Sequence, residues 1–459
     1  MSALQPPELI VDLFAGGGGA SQGIYQATGR HPDIAINHDP VAVAVHKRNH
    51  PGTLHYCESI WKVRPEDACG VRPVGLLWAS PDCRHFSRAA GGRPKWKSVR
   101  SLPGVVLTWA KRVQPRVIVV ENVREMLGWG PLLEDGTPCP RRIGLSFKTW
   151  AGRLRGLGYR VEWRELCAAD FGAPTIRTRL VIVAARDDAP IRWPVPTHSR
   201  APSLLEHPWR TAAECIDWAL PARSIFDRPR PLKEATLRRI AEGVVRFVVK
   251  AERPYFVDRA VGSHLVPVTH SSDRSFGRDI HAPAPTITTA KGGEHALIAA
   301  FLAQHNGGVV GRPAAAPIST ITTQGSQQQL VETALSETDR AGAGRVAAFL
   351  IHYYGSGGQH GSLSCPLGAI TTKERFALVT VHGVPTPITD IRMRMLAPQE
   401  LSSAQGFPAE YDLTDGGRLN KVDQIRLIGN SVCPAMAEAV VRAQFNAAPA
   451  AAQPEVLAA

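Results

Sequence analysis

Leu9-Ile10-Val11-Asp12-Leu13-Phe14-Ala15-Gly16-Gly17-Gly18-Gly19 reads as a buried strand that runs into a glycine turn, with a helical stretch after it. Four successive glycines let backbone pass close to a ligand with no Cβ in the way. In α/β sheets the turn between the first strand and the first helix is where nucleotides bind. Asp39 follows Gly19 by 20 residues, at the end of the next predicted strand, placed to accept ribose hydroxyls. A ligand containing a ribose is therefore expected.

Outward from this turn, the first 185 residues alternate short apolar strands with helical stretches, which predicts an α/β domain with a mostly parallel sheet covered on both faces. The predicted strands are Leu9 to Phe14, Ile34 to Asn37, Gly75 to Ala79 and Val117 to Val120, with Tyr159 to Leu166 and Leu180 to Ala184 as an antiparallel hairpin at the sheet edge. From about Asp187 to Pro387 proline becomes frequent and the pattern changes to irregular β structure, a second domain. Within it the pattern P-x-x-[TA]-I-T-T occurs at Pro283 to Thr289, Pro317 to Thr323 and Pro366 to Thr372, an irregular internal repeat of a strand and loop unit. Helical periodicity returns from Met395 to about Gln444, and the alanine-rich tail after it is expected to be disordered. The expected boundaries are 1–186, 187–388, 389–445 and 446–459.

The chain has 53 Lys and Arg against 40 Asp and Glu, a net charge of +13, which fits a polyanionic partner. A basic stretch at Lys233 to Lys250, with Arg238, Arg239 and Arg246, is expected to be a solvated face. No apolar run approaches bilayer-spanning length, and the start MSALQPPELIVDLF has no secretion signal, so a reducing cytoplasm and no membrane partner are expected. The eight cysteines contain no C-x-x-C pair, against a disulfide framework or zinc ribbon. His46, His50, His55 and Cys57 cluster within twelve residues, but no glutamate follows the first histidine as in hydrolytic zinc helices; a helix end leading into a strand is expected, without metal.

By itself the glycine turn leaves a dinucleotide-dependent dehydrogenase and a methyltransferase nearly level. The sequence Ser80-Pro81-Asp82-Cys83-Arg84-His85-Phe86-Ser87 then places a cysteine just past the carboxyl end of a strand, where α/β enzymes keep reacting groups. Arg88, Gly91, Gly92, Arg93, Lys95, Lys97 and Arg100 after it suggest a mobile basic lid that closes on phosphates. Glu121 ends the next strand, and Phe171 to Arg179 places Arg177 and Arg179 on one side of an extended segment.

These segments, with Arg394, Gln399-Glu400-Leu401, Gln405-Gly406-Phe407-Pro408 and Gly429-Asn430-Ser431-Val432, closely resemble the DNA cytosine-5 methyltransferase family over residues 9–184 and 392–442. The resemblance implies a Rossmann-like methyltransferase domain and a smaller target-recognition domain. It implies S-adenosylmethionine as cofactor, held by Asp12, Phe14, Ala15, Gly16, Gly17, Gly18, Asp39, Ser59, Asn430 and Ser431. It assigns Cys83 as the nucleophile that adds to carbon 6 of a cytosine flipped out of duplex DNA, with Glu121 on ring nitrogen 3 and the exocyclic amine and Arg179 on the carbonyl oxygen. An ordinary thiol is only a few per cent ionised at neutral pH, so Arg177, Arg179 and the sulfonium are candidate sources of positive charge.

The chain departs from the family pattern at Asp82, Arg84, Thr175, Ser59 and Ser403. An acidic Asp82 pointing at the nucleophile would raise the thiol's pKa, so it is expected to face away or to pair with a base such as Arg84. The cysteine loop is similar to that of phage-like members, which implies a viral or prophage setting. A monomer, with or without a cognate restriction enzyme, is expected. The competing readings are an RNA cytosine-5 methyltransferase of the same fold, a dinucleotide-dependent oxidoreductase and a non-catalytic DNA-binding protein.

Overall fold

A computed structural model of the protein describes residues 8–82, 101–134, 137–187, 190–250, 297–304, 311–318, 328–335, 346, 378–381 and 384–445. The described residues fall into two compact units, one within Met1–Arg210 and Leu401–Ala459, the other within Thr211–Ile318 and Ser326–Glu400.

The first unit is built on a sheet of β1 (Leu9–Leu13), β2 (Ile34–Asn37), β3 (Leu54–Cys57), β4 (Val74–Ala79), β5 (Val117–Asn122), β6 (Arg160–Cys167) and β7 (Thr178–Ala185), in the order β3-β2-β1-β4-β5-β7-β6. The first five strands pair in parallel, while β7 lies antiparallel between β5 and β6. The predicted antiparallel hairpin is therefore at the sheet edge. The runs LIVDL, VGLLWA and VIVVEN are fully buried along their length, as expected for central strands covered on both faces.

Alternation along each strand sorts side chains into two cores. Leu13, Ile36, Leu77, Ile118 and Ile182 pack with Trp109 of α4 (Pro103–Arg112) and Trp150 of α5 (Leu145–Gly156). On the other face Ile10, Leu76, Trp78 and Val119 pack with Ile24 of α1 (Gly19–Thr28) and with Met436, Val440 and Phe445 near the carboxyl end. The sheet-to-helix connections also carry α2 (Pro40–Asn49) and α3 (Pro65–Cys69). β8 (His198–Ser199) and β9 (His207–Pro208) form a two-residue parallel pair.

The second unit contains β10 (Arg223–Ser224), α6 (Glu234–Val244), β11 (Leu297–Gln304), β12 (Gly311–Pro313), β13 (Gln328–Leu335), β14 (Leu378–Val381) and β15 (Val384–Met395). These strands pair antiparallel in the order β10-β15-β13-β11-β12, with β14 on β15. Leu237, Ile240, Val244 and Val248 of α6 and the turn after it join Val331, Ile391 and Met393 in this unit's core. Arg238 and Arg246 lie on the exposed face. Of the three P-x-x-[TA]-I-T-T repeats, the first and last lie outside the described residues, as does the middle one beyond Ile318.

The unit boundaries fall later in the chain than the change of composition does. Residues 190–210 stay with the first unit because Ile191 enters its core, Trp209 Nε1 donates to Asp170 Oδ1 at 3.0 Å and Thr197 N to the Asp170 carbonyl at 2.9 Å. At the far end β15 keeps pairing with β13 as far as Met395. The chain then forms α7 (Pro398–Gln405), α8 (Lys421–Asn430) and α9 (Pro434–Phe445).

Candidate active site

β1 ends on Asp12 and Leu13, and the backbone beyond turns sharply: Phe14 has φ 62°, Gly16 φ 54° and Gly18 φ 90°. Phe14 adopts the left-handed region that glycine adopts freely and most side chains avoid, a sign that its surroundings fix the turn. The four glycines divide between two tasks. A Cβ on Gly18 would sit 1.9 Å from Tyr411 Oη, and one on Gly19 2.1 Å from the Val432 carbonyl oxygen. Those two glycines admit the protein's own carboxyl-terminal segment. At Gly16 the nearest atom would be 3.8 Å away, so this position leaves room for a ligand.

Beside Gly16 a shallow crevice is lined by Ala15, Ala35, Ile36, Asn37, Val43, His46 and His55. Ser431 lies against the turn, its Oγ 3.4 Å from where a Gly17 Cβ would be, and its carbonyl accepts from Gln405 Nε2 at 2.9 Å. Asn430 is exposed at the end of α8. Asp39 is the N-cap of α2, accepting from Val41 N at 3.0 Å, and it pairs with Arg426. Burial, the largest single influence, would push its carboxyl up, but the Arg426 hydrogen bond and charge together with the backbone N–H groups of Val41 and Ala42 hold it below the usual range. Asn37 Oδ1 accepts from Asp39 N at 2.9 Å and faces the same crevice. Ser59 is half-buried just past β3.

Below the turn lies a polar network that the sequence reading did not find. Ser21 Oγ is 2.6 Å from Asp12 Oδ2 and 2.8 Å from His46 Nε2, and His46 Nδ1 is 2.8 Å from His55 Nε2. A second chain starts at Tyr411, whose hydroxyl donates to the Gly17 carbonyl at 2.8 Å and so accepts from His50 Nε2 at 3.2 Å. The neutral His50 ring then offers bare Nδ1 to His31 Nδ1, 2.7 Å away. Burial pushes Asp12 up to about 7, against the Ser21 hydrogen bond. Burial, reinforced by His31 and His55, pushes His50 down to about 3. His46 also lies well below the usual range, through burial first and then its histidine neighbours. Among the described residues no group of three or more His, Cys, Asp and Glu is placed to hold a metal ion.

One strand over, Ser80 N donates to the Leu13 carbonyl at 3.2 Å, and Asn122 Nδ2 donates to the Pro81 carbonyl at 2.9 Å. The carboxyl ends of β4 and β5 are thereby tied at the start of the cysteine segment. Cys83 itself, with the basic stretch to Arg100, lies outside the described residues. Glu121 is buried at the end of β5, and its Oε1 pairs with Arg179 Nε on β7 at 3.0 Å. Arg177 takes a different place: it is buried, and its Nη1 donates to the Gly429 carbonyl at 3.3 Å. The structure thus brings Glu121 and Arg179 together and ties Arg177 to the end of α8.

An open α/β sheet with a glycine turn after its first strand, and with a paired Glu and Arg two strands away at the end of β5, is a Rossmann-like architecture that carries ligands at the carboxyl ends of its strands. The family model for C-5 cytosine-specific DNA methylase matches residues 9–250 and 312–446, and the chain belongs to that family. Type II methyltransferase M.AgeI of Thalassovita gelatinovora is 30% identical over 195 residues, 41% of this chain and 42% of that protein. M.NaeI of Lentzea aerocolonigenes is 31% identical over 202 residues, 43% and 45% of the two chains. M.AquIA of Picosynechococcus sp. is 28% identical over 232 residues, 46% and 89%. The matches to the first two span less than half of those proteins. Among solved structures, DNMT2 of Spodoptera frugiperda aligns over 95% of this chain and 99% of its own at 15% identity and a TM-score of 0.49. Among the described residues no helix is long and apolar enough to cross a membrane.

Proposed function

We propose that this protein methylates carbon 5 of cytosine in duplex DNA, with S-adenosylmethionine as methyl donor. The observation that carries the reading is the Glu121–Arg179 pair at the end of β5, one strand from the Pro81 carbonyl that leads into Cys83. The open side of Gly16 and the buried, unpartnered Asp12 Oδ1 support a cationic nucleoside ligand at the end of β1. S-adenosylmethionine supplies an electrophilic methyl group there when bound.

Carbon 5 of cytosine is too weak a nucleophile to accept that group unaided. The Cys83 thiolate adds to carbon 6 and raises electron density at carbon 5; once the methyl group is in place, loss of the carbon 5 proton and of the cysteine restores the ring. Glu121 hydrogen-bonds ring nitrogen 3 and the exocyclic amine, and Arg179 holds the carbonyl oxygen, so the pair selects cytosine over thymine. The base must leave the helix to reach these groups, at a cost of a few kcal/mol. Residues 187–388 supply target recognition, and the basic stretch after Cys83 contacts phosphates. The type II naming of the relatives supports a restriction-modification setting in a bacterial cytoplasm or phage-infected cell, with or without a cognate restriction enzyme; the methylase acts as a monomer.

Bisulfite sequencing of DNA from cells expressing the protein should reveal one protected sequence context, absent with Cys83→Ser. Tritium from labelled S-adenosylmethionine appearing in RNA and not in duplex DNA would replace this reading with an RNA methyltransferase.

A further inference from the structure

Asp12 is fully buried beneath the glycine turn, and its Oδ1 has no hydrogen-bond partner among the described residues. Its other oxygen opens a continuous path. Asp12 Oδ2, Ser21 Oγ, His46 Nε2 and Nδ1, and His55 Nε2 follow one another at 2.6, 2.8 and 2.8 Å. The path ends at the half-buried His55, whose remaining ring nitrogen bonds the Thr53 carbonyl.

Such a chain has two proton arrangements, the second reached at the cost of the hydrogen bond between His55 and Thr53. With Asp12 protonated, its O–H donates to Ser21, the Ser21 O–H to His46 Nε2, His46 Nδ1–H to His55 Nε2, and His55 Nδ1–H to Thr53. With Asp12 ionised every donor is reversed: Ser21 donates to Asp12, His46 Nε2–H to Ser21 and His55 Nε2–H to His46. Each O–H or N–H bond broken is matched by one formed on the next atom. The net change is one proton lost to water from His55 Nδ1 and one negative charge gained on Asp12.

We propose that Asp12, Ser21, His46 and His55 form a proton path that couples binding of the cationic methyl donor at the glycine turn to release of one proton. The inference rests on the reading of S-adenosylmethionine as the donor. A carboxylate buried with an open oxygen is disfavoured alone, and a sulfonium cation arriving at the same strand end supplies the opposite charge. Ionisation and binding then favour each other. The groups facing the path agree with this direction. His50 and His31 lie beside His46 and disfavour a cation there; Lys47 lies near His55 and disfavours a proton lingering on it; Tyr411 near Asp12 is a neutral phenol. Burial pushes Asp12 to about 7, against the Ser21 hydrogen bond, so the transition falls near neutral pH. Ser21 and His46 are positioning residues here, acting through Asp12.

Isothermal titration calorimetry of the full chain in buffers of different ionisation enthalpy tests this, with S-adenosylhomocysteine as control. The two ligands share nucleoside and amino acid, and only the donor carries the sulfonium charge. The expected result is an excess release by the donor over the control of about half a proton at pH 7 and nearer one at pH 6, as a group titrating near 7 requires. Equal proton release for both ligands overturns the inference while leaving the cofactor reading intact. Binding of neither ligand overturns both. Ser21→Ala, which cuts the path between Asp12 and His46 at a buried residue outside the crevice lining, should weaken donor binding about tenfold and leave the control within twofold; equal weakening of both ligands would reduce the path to ordinary packing.

Discussion

His50 sits among His31, His46 and Tyr411, with no carboxylate hydrogen-bonded to its ring, and its folded pKa falls to about 3. The unfolded chain takes up that proton near pH 6.5, so above this pH the group is neutral in both states and neutral in effect. Below it, stability is lost at about 1.4 kcal/mol per pH unit until the folded pKa is reached. Asp12 works in the opposite direction: its folded pKa is raised, so its penalty grows as pH rises from the ordinary carboxyl range towards 7 and is relieved on acidification. A single melting curve mixes the two. The difference between wild type and His50→Gln isolates the histidine. The stability advantage of wild type over this variant should shrink by about 2 kcal/mol between pH 7.5 and pH 5 in urea denaturation; a constant difference would mean that His50 titrates normally. The histidine cluster was visible in the sequence as His46, His50 and His55. Its partners were not, because Ser21 and Tyr411 lie 25 and 361 residues from the histidines they bond. No local pattern links residues so far apart.

At the scale of elements, the central strands were legible because each is a near-continuous apolar run flanked by turns. β3, with the sequence LHYC and an exposed first and last residue, lies at the sheet edge and lacks that signal. The glycine turn was read as a ligand cradle, yet half of its glycines answer to the carboxyl-terminal segment. That difference has a consequence. In Gly19→Ala the new methyl would meet the Val432 carbonyl at 2.1 Å, against backbone that cannot rotate away, whereas in Gly52→Ala it would meet nothing within 4 Å. The first should cost about 2 kcal/mol, seen as a fall of several degrees in Tm, and the second should stay within about 0.5 kcal/mol. Equal melting temperatures for the two variants would show that α1 and the Val432 backbone can separate at little cost. Asp39 illustrates a subtler limit. Its spacing from Gly19 marked it for ribose, and its place at the strand end is as read, but sequence could not reveal that it also caps α2 and pairs with Arg426, 387 residues on.

For the whole molecule, the decisive feature is that the chain leaves the first unit after Arg210 and re-enters it at Leu401. Composition showed the departure and the return but not their dependence on each other. Met436, Ala437, Val440, Val441 and Phe445 of α9 are all buried, in the same core as Ile10, Leu76 and Trp78. Arg442 Nη2 donates to the Gln26 carbonyl at 2.7 Å, and a Cβ on Gly23 would lie 2.4 Å from the Pro434 carbonyl, so α1 and α9 meet almost backbone to backbone. Burying a large apolar side chain is worth roughly 1.5–3 kcal/mol, so the four larger of these residues together contribute about 6–12 kcal/mol, before allowance for structure in the unfolded chain. That is comparable with the entire stability of an ordinary domain, about 5–15 kcal/mol. A chain ending at Cys433 keeps all of β1 to β7 but exposes one face of the sheet. It should therefore lose the cooperative melt of the first unit and expose apolar surface to a hydrophobic dye, while Phe445→Ala in the full chain should retain a cooperative melt lowered by about 3–5 kcal/mol. A truncated chain that still melts cooperatively would place the stability of this sheet in its amino-terminal residues alone.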